Sequence, residues 1–374
     1  MSEPERHGGA RTGRRAKGGA GHEPGRRAGS AGLWQVAALG AVAMALAALL
    51  GEGQLSVFIL LGLAAIVTVG VSLLMGYAGQ VSLGQAAFYA VGGYTAALLG
   101  VHGRPPLLGL VAAPLAAAAF AVVIGVPLLR LRGHHLAFAT LATQLILLSL
   151  AGEIDALGGS IGLQGVPRLS AGPVELAGDR GYAFLTWAAL IVVLLVTRNV
   201  IESRAGRGLR ALATSEVAAE SAGVPVGRYK LAVFTLSAAF AGLAGGVYAF
   251  YVGYVAPGSF PVLLSIEYVV MAVVGGLGTL WGPLAGATAV TLLVQVLNNV
   301  GTMEGMPDYA PSVLSYAVYS VLLIAVVLFL PGGLVPAVRD RLRRPPAARP
   351  AAAPAGDVTG PAGRAPESRH EAPR

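Results

Sequence analysis

The chain contains no cysteine, which excludes a disulfide scaffold, a thiolate metal site and a thiol nucleophile. Charge is scarce as well: 12% of the 374 residues are Asp, Glu, Lys or Arg, against about 25% in an average soluble domain. With 55% hydrophobic residues and a mean hydropathy of +0.70, so little charge cannot cover a soluble surface, and an ordinary cytosolic enzyme is excluded. Lysine occurs only at Lys17 and Lys230, and there is no GxxxxGK(S/T) phosphate loop, so this chain does not hydrolyse ATP by P-loop chemistry. The six histidines include no HExxH pair; His134–His135 reads as an interfacial pair, and no metal site is expected. Aromatics, at 7%, are too sparse to interleave the basic segments as a single-strand binder requires, so the net charge of +8 does not point to nucleic acid.

What the chain has instead is a series of apolar stretches near the length that crosses a bilayer core at 1.5 Å per residue. The expected spans are 33–50, 54–75, 86–101, 107–129, 134–151, 182–198, 231–253, 263–280, 283–300 and 312–330. Residues 1–32 and 339–374 are Gly-, Ala-, Arg- and Pro-rich, cannot bury enough surface to offset ordering, and read as disordered tails around a membrane domain at 33–338. An even number of spans places 23 of the 26 Lys and Arg on one side, leaving Arg104, Arg168 and Arg180 opposite. By the positive-inside rule the basic side, with both tails, is cytoplasmic. A cleaved signal peptide is the competing reading of the first span, since a basic segment precedes it and Ala43, Ala45 and Ala47 are small; the slightly long apolar run favours an uncleaved helix. The fold class expected is an all-α polytopic membrane protein with about ten transmembrane helices.

Four features carry the functional reading. Glu267 is the one acidic group inside a proposed span; it reads either as a polar group on a solute pathway or as an interface-facing glutamate. Gly76–Tyr77–Ala78–Gly79–Gln80–Val81–Ser82–Leu83–Gly84–Gln85 interrupts an apolar run with polar backbone, tolerated at depth only against protein or a wet cavity. Gln80, Ser82 and Gln85 are therefore candidate pathway residues, with a plain cytoplasmic turn as the alternative. Gly242 and Gly246, and Gly278, Gly282 and Gly286, recur at the four-residue spacing that lets helices approach closely. In the loop 199–230, Leu209, Leu212 and Ala213, then Glu216 or Val217, recur near the helical period, and Gly223 with Pro225 is a stop signal. A short cytosolic helix ending near Ala222 is expected. Glu216 and Glu220 on it form a like-charged pair that makes sense against a partner surface.

Four segments, Gly76 to Phe88, the loop Gly206 to Lys230, Ser259–Phe260 with Ser265–Ile266–Glu267, and Gly275–Gly276–Leu277–Gly278–Thr279–Leu280–Trp281–Gly282–Pro283–Leu284–Ala285–Gly286–Ala287, resemble the LivM-type permeases of branched-chain amino acid ABC importers over roughly 54–335. The resemblance implies a chain with no cofactor of its own, in a bacterial inner membrane. It implies a second homologous permease, two ATPase subunits carrying ATP and Mg, and an extracytoplasmic solute-binding protein. It also implies that the loop helix docks on an ATPase, with Arg207, Arg210, Glu216, Ala218, Ala219, Glu220 and Gly223 as coupling residues. Ala218, Ala219 and Gly223 match the short EAA-type motif of such permeases, and Val217 occupies its usual acidic position. Outside, Leu157–Gly158–Gly159–Ser160–Ile161–Gly162–Leu163–Gln164–Gly165–Val166–Pro167 resembles the family's TGGxxGLxGIP-type stretch, with Leu157 in place of Thr and Ile161 where a polar residue is common. Related permeases serve urea, short amides or other amino acids. A stand-alone secondary transporter would want a relay of ionisable groups, and a membrane scaffold would not need the 76–85 segment.

Overall fold

The computed structural model describes residues 25–301 except 132, 172, 173 and 177, and also 317, 320, 321, 324 and 333–335. Long helices dominate: α1 (Gly25–Leu49), α2 (Glu52–Ala78), α3 (Gln85–Val101), α4 (Pro106–Leu128), α5 (His134–Glu153) and α6 (Asp179–Glu202). Two short helices follow, α7 (Arg204–Thr214) and α8 (Glu216–Ser221), and then α9 (Val226–Val252), α10 (Val262–Gly275) and α11 (Gly282–Gly301). Among the described residues, seven segments are long and apolar enough to cross a membrane: Glu52–Ala78, Pro106–Leu128, His134–Glu153, Asp179–Glu202, Val226–Val252, Pro257–Gly275 and Gly282–Val300.

The expected spans coincide with α1 to α6 and α9 to α11, with differences at the ends. Helix α1 reaches back to Gly25, so residues 25–32 are helical where a disordered tail was expected; Arg26, Arg27, Ala28 and Ala31 favour a helix, against Gly25, Gly29 and Gly32, and the turns continue those of the apolar span that follows. The span expected over 263–280 stops at Gly275, because Gly276 (φ 111°) and Gly278 (φ 72°) take backbone conformations that end a helix. Gly278 therefore lies in a turn and shares no helical ridge with Gly282 and Gly286. The expected tails at 1–24 and 339–374 lie outside the described residues, as does the span 312–330 apart from helical residues 317, 320, 321 and 324. Small strands also occur between helices: β1 (Leu163–Gln164) pairs antiparallel with β4 (Tyr254–Val255), and β2 (Ser170–Ala171) with β3 (Val174–Glu175).

The centre of the fold is built from small residues. Every buried position of α4 is Gly or Ala: Gly109, Ala113, Ala117, Ala121 and Gly125, one stripe at four-residue spacing. Its other faces expose Leu115, Val123 and Val126, suited to lipid. The stripe meets α9, where a Cβ added at Gly242 would strike the Ala117 methyl and one at Gly246 the Ala113 methyl. On the far side of α9, a Cβ at Gly245 would strike the Tyr89 carbonyl oxygen of α3, and one at Gly92 the Gly242 backbone. With lipid as apolar as the side chains, such backbone approach supplies the packing that hydrophobic burial cannot.

The same contacts fix depth. Gly92 backs onto Gly242 and Gly100 onto Phe250, so α3 and α9 run parallel. Helix α3 then begins level with Thr235, about 13 Å along α9 at 1.5 Å per residue. Meanwhile α2 continues to the end of the bundle where α7 and α8 lie. The segment 79–84 therefore turns at that end and climbs back inside before α3 starts.

Gly245→Val should destabilise the protein by about 1–3 kcal/mol by forcing α3 and α9 apart. Gly51→Ala, where a Cβ meets nothing within 4 Å, should stay within about 0.5 kcal/mol of wild type. Thermal unfolding of the purified chain in mild detergent checks both.

Candidate functional site: an interior polar cluster, a cavity and a docking platform

Because α3 starts inside the bundle, its first N–H groups need partners where water is scarce. The Ser265 hydroxyl of α10 accepts from the Ala86 N–H at 2.8 Å and donates to Gln144 Oε1 of α5 at 2.6 Å. Gln144 Nε2 lies 3.4 Å from both the Phe260 and Pro261 carbonyl oxygens. One turn away, the Thr140 hydroxyl accepts from the Leu83 N–H at 3.0 Å. Gln80, Ser82 and Gln85 are all buried in this region; Ser82 Oγ is 3.5 Å from the Gly84 N–H. Both polar atoms of the Gln85 side chain and Oε1 of Gln80 are buried without a hydrogen-bond partner among the described residues.

A separate cavity of about 360 Å³ opens between α2, α3, α9, α10 and α11. Glu267 lines it, together with Tyr89, Tyr248, Tyr268, Thr291 and Gln295 and an apolar wall that includes Leu60, Leu63 and Met271. Of the four candidate pathway residues, the structure brings only Glu267 to this cavity. Gln80, Ser82 and Gln85 belong instead to the interior cluster. Sequence reasoning missed Thr140 and Gln144 in that cluster, although a glutamine inside an apolar span is itself a signal of a polar contact at depth. It also missed the tyrosines, whose spacing along three different helices carries no local pattern.

The expected cytosolic helix is two helices. Ser215 breaks the run: its backbone is extended, and its hydroxyl accepts from the Ala218 N–H at 3.3 Å as the N-cap of α8. A serine followed by Glu216 in the first turn was the available signal. Helix α8 ends at Ser221 with Ala222 as its cap, close to the expected stop, and Gly223 takes a left-handed φ of 78°. Glu216 does not stand with Glu220 as an unanswered pair, because Lys230 of α9 binds it at 2.7 Å. Ala219 is buried, whereas Val217, Ala218, Glu220 and Gly223 are exposed. On α7, Gly206, Leu209 and Leu212 face inward, and Arg207 and Arg210 are exposed. Together α7 and α8 form a platform pinned to α9 on one side and open on the other.

Among the packing glycines, Gly282 and Gly286 open α11 against the backbone of α10: Cβ atoms there would strike Gly276 and Met271 carbonyl oxygens. Gly278 serves another contact, its carbonyl accepting from the Tyr77 hydroxyl at 2.8 Å.

The family model for the permease component of the branched-chain amino acid transport system matches residues 52–327. The chain belongs to this family. It is a permease subunit and a multi-pass membrane protein, which acts with an ATPase and other subunits rather than as an enzyme itself. This permease is similar to the high-affinity branched-chain amino acid transport system permease protein LivM of Escherichia coli (strain K12). The two are 31% identical over 312 residues, which cover 77% of this chain and 69% of the relative. The probable LivM of Methanocaldococcus jannaschii is 24% identical over 319 residues, covering 74% and 91%. The nucleoside ABC transporter permease protein NupC of Lactococcus lactis subsp. cremoris is 25% identical over 283 residues, covering 69% and 86%. No solved structure matches the permease.

Ser265→Ala leaves the Ala86 N–H and the Gln144 carbonyl oxygen without their partner. It should destabilise the permease by about 1–3 kcal/mol, and Ser265→Thr by less, as read from denaturant unfolding in mixed micelles.

Proposed function

We propose that the chain is one of two membrane subunits of an ATP-driven importer of branched-chain amino acids, set in a bacterial inner membrane with both tails cytoplasmic. Two ATPase subunits bind ATP and Mg, and an extracytoplasmic binding protein delivers the solute. The observation that carries this reading is the α7–α8 platform: a short helix capped at both ends, exposed on one face and ion-paired to a membrane helix on the other. Capping matters because a six-residue helix is too short to persist unaided. A rigid element with an open face is what an ATPase groove can push.

Closure of the ATPases moves α8, and the Glu216–Lys230 pair passes that displacement to α9. Helix α9 is locked to α3 and α4 by backbone contact, so the three move together rather than sliding individually. Their movement changes which side the cavity faces. The coupling residues are Arg207, Arg210, Glu216, Ala218, Ala219, Glu220 and Gly223. Glu216 and Ala219 act from the inner face of the platform and the others at the docking surface. The branched-chain solute rests on the LivM relatives at 31% identity; the nucleoside permease, at 25%, supports a second reading for the solute alone.

Gly223 has open space where a side chain would project and a φ that disfavours one. Gly223→Arg should therefore obstruct docking without disturbing the membrane core. Leucine uptake should fall about tenfold or more at normal membrane abundance, and the ATPase subunits should no longer co-purify in mild detergent. Wild-type uptake by this variant would refute the docking role.

A further inference from the structure

Among the described residues, the carboxylate in this cavity has no counter-charge. Glu267 lies inside a membrane helix, and the two ion pairs among the described residues, Arg198–Glu202 and Lys230–Glu216, do not involve it. No lysine or arginine occurs anywhere from Leu231 to Val338, and among the described residues no basic side chain lines the cavity. An ionised group in such a place is costly unless something answers it. The surroundings favour a cation as the answer. Tyr89 sits with its ring centre 5.6 Å from that of Tyr248 and 6.3 Å from that of Tyr268, and all three line the same cavity. Aromatic faces attract an ammonium and do nothing for an anion.

The rest of the lining divides the space. Leu60, Leu63, Leu264, Met271 and Val294 form an apolar wall from α2, α10 and α11, while Thr291 and Gln295 of α11 add neutral polar groups. A volume of about 360 Å³ falls at the small end of the range for small-molecule sites, about 300–1,000 Å³. A carboxylate, three aromatic rings, an aliphatic wall and no cation together select a molecule that brings its own positive charge and a greasy side chain.

We infer that this cavity is the solute site of the permease, in which Glu267 and the tyrosine rings receive the α-ammonium of an amino acid, Thr291 and Gln295 donate to its carboxylate, and the apolar wall takes its aliphatic side chain. The inference rests on the importer reading above and assigns the substrate class to particular residues. It also separates solutes: nucleosides and urea carry no ammonium and leave Glu267 unanswered.

The absence of native cysteine permits a direct test. In the assembled importer, Val294→Cys places a thiol on the cavity wall, and its labelling by a methanethiosulfonate reagent is read on this chain after electrophoresis. Leucine and isoamylamine should slow labelling, whereas isocaproate, the same skeleton without the ammonium, should not. Adding Glu267→Gln should raise the leucine concentration needed for half-protection about tenfold. Equal protection by isocaproate, or undiminished protection with Glu267→Gln, overturns the inference. So does the absence of protection in an importer that takes up leucine. If Glu267→Gln does not assemble, the comparison of the three solutes on Val294→Cys alone decides. Failure of the wild-type importer to take up leucine, isoleucine or valine would instead overturn the branched-chain reading on which the inference stands.

Discussion

Everything in this fold turns on a helix that starts inside the bundle, where water is scarce. A backbone N–H left open in hydrocarbon costs several kcal/mol, more than most single side-chain contacts contribute. Helix α3 begins about 13 Å beyond the start of α9, so its leading N–H groups must find acceptors within the protein. Ser265 of α10 accepts from Ala86 and is tied in turn to Gln144 of α5, while Thr140 of α5 accepts from Leu83 just before the helix. The positions of α5 and α10 relative to α3 follow from those bonds. The glycine and alanine stripes on α4 and α9 add a second fixture, bringing backbone against backbone where α3, α9 and α4 meet.

Helix α9 connects the two regions in which function is proposed. Lys230, near its start, holds α8 through Glu216, and Tyr248, near its end, lines the cavity. Eighteen residues separate them, about 27 Å of continuous helix. Interior proline is absent from α9, whereas α4 carries Pro114 and Pro127. The neighbour is the helix with the breaks in its hydrogen-bond ladder, and the connecting rod is the one without.

How far composition and pattern reached depended on the range of the interaction. Span positions were readable because bilayer thickness acts on each segment alone; charge asymmetry likewise needs only a sum over loops. The end of α8 was readable from Gly223 and Pro225 because a helix stop is a local event. The break at Ser215 was equally local, but the period running from Leu209 to Val217 hid it. What could not be read was convergence. Glu216 finds Lys230 across a turn, and Glu267 meets tyrosines from α3, α9 and α10. Gln85, a candidate pathway residue like Glu267, went to a different place because the start of α3 is held beside Ser265 of α10. No spacing in the chain encodes that depth.

The contact between Gly92 and Gly242 joins residues 150 positions apart. At a synthesis rate of about 5–20 residues per second, α3 waits about 8–30 s in or beside the membrane before its partner emerges. Ser265 arrives later still. Throughout that interval the Ala86 N–H and the glutamines at 80 and 85 lie in a half-made protein without the groups that later enclose them. The centre of the fold therefore cannot close until most of the chain has been made, and the polar groups of its first part must wait in the membrane for partners from its last.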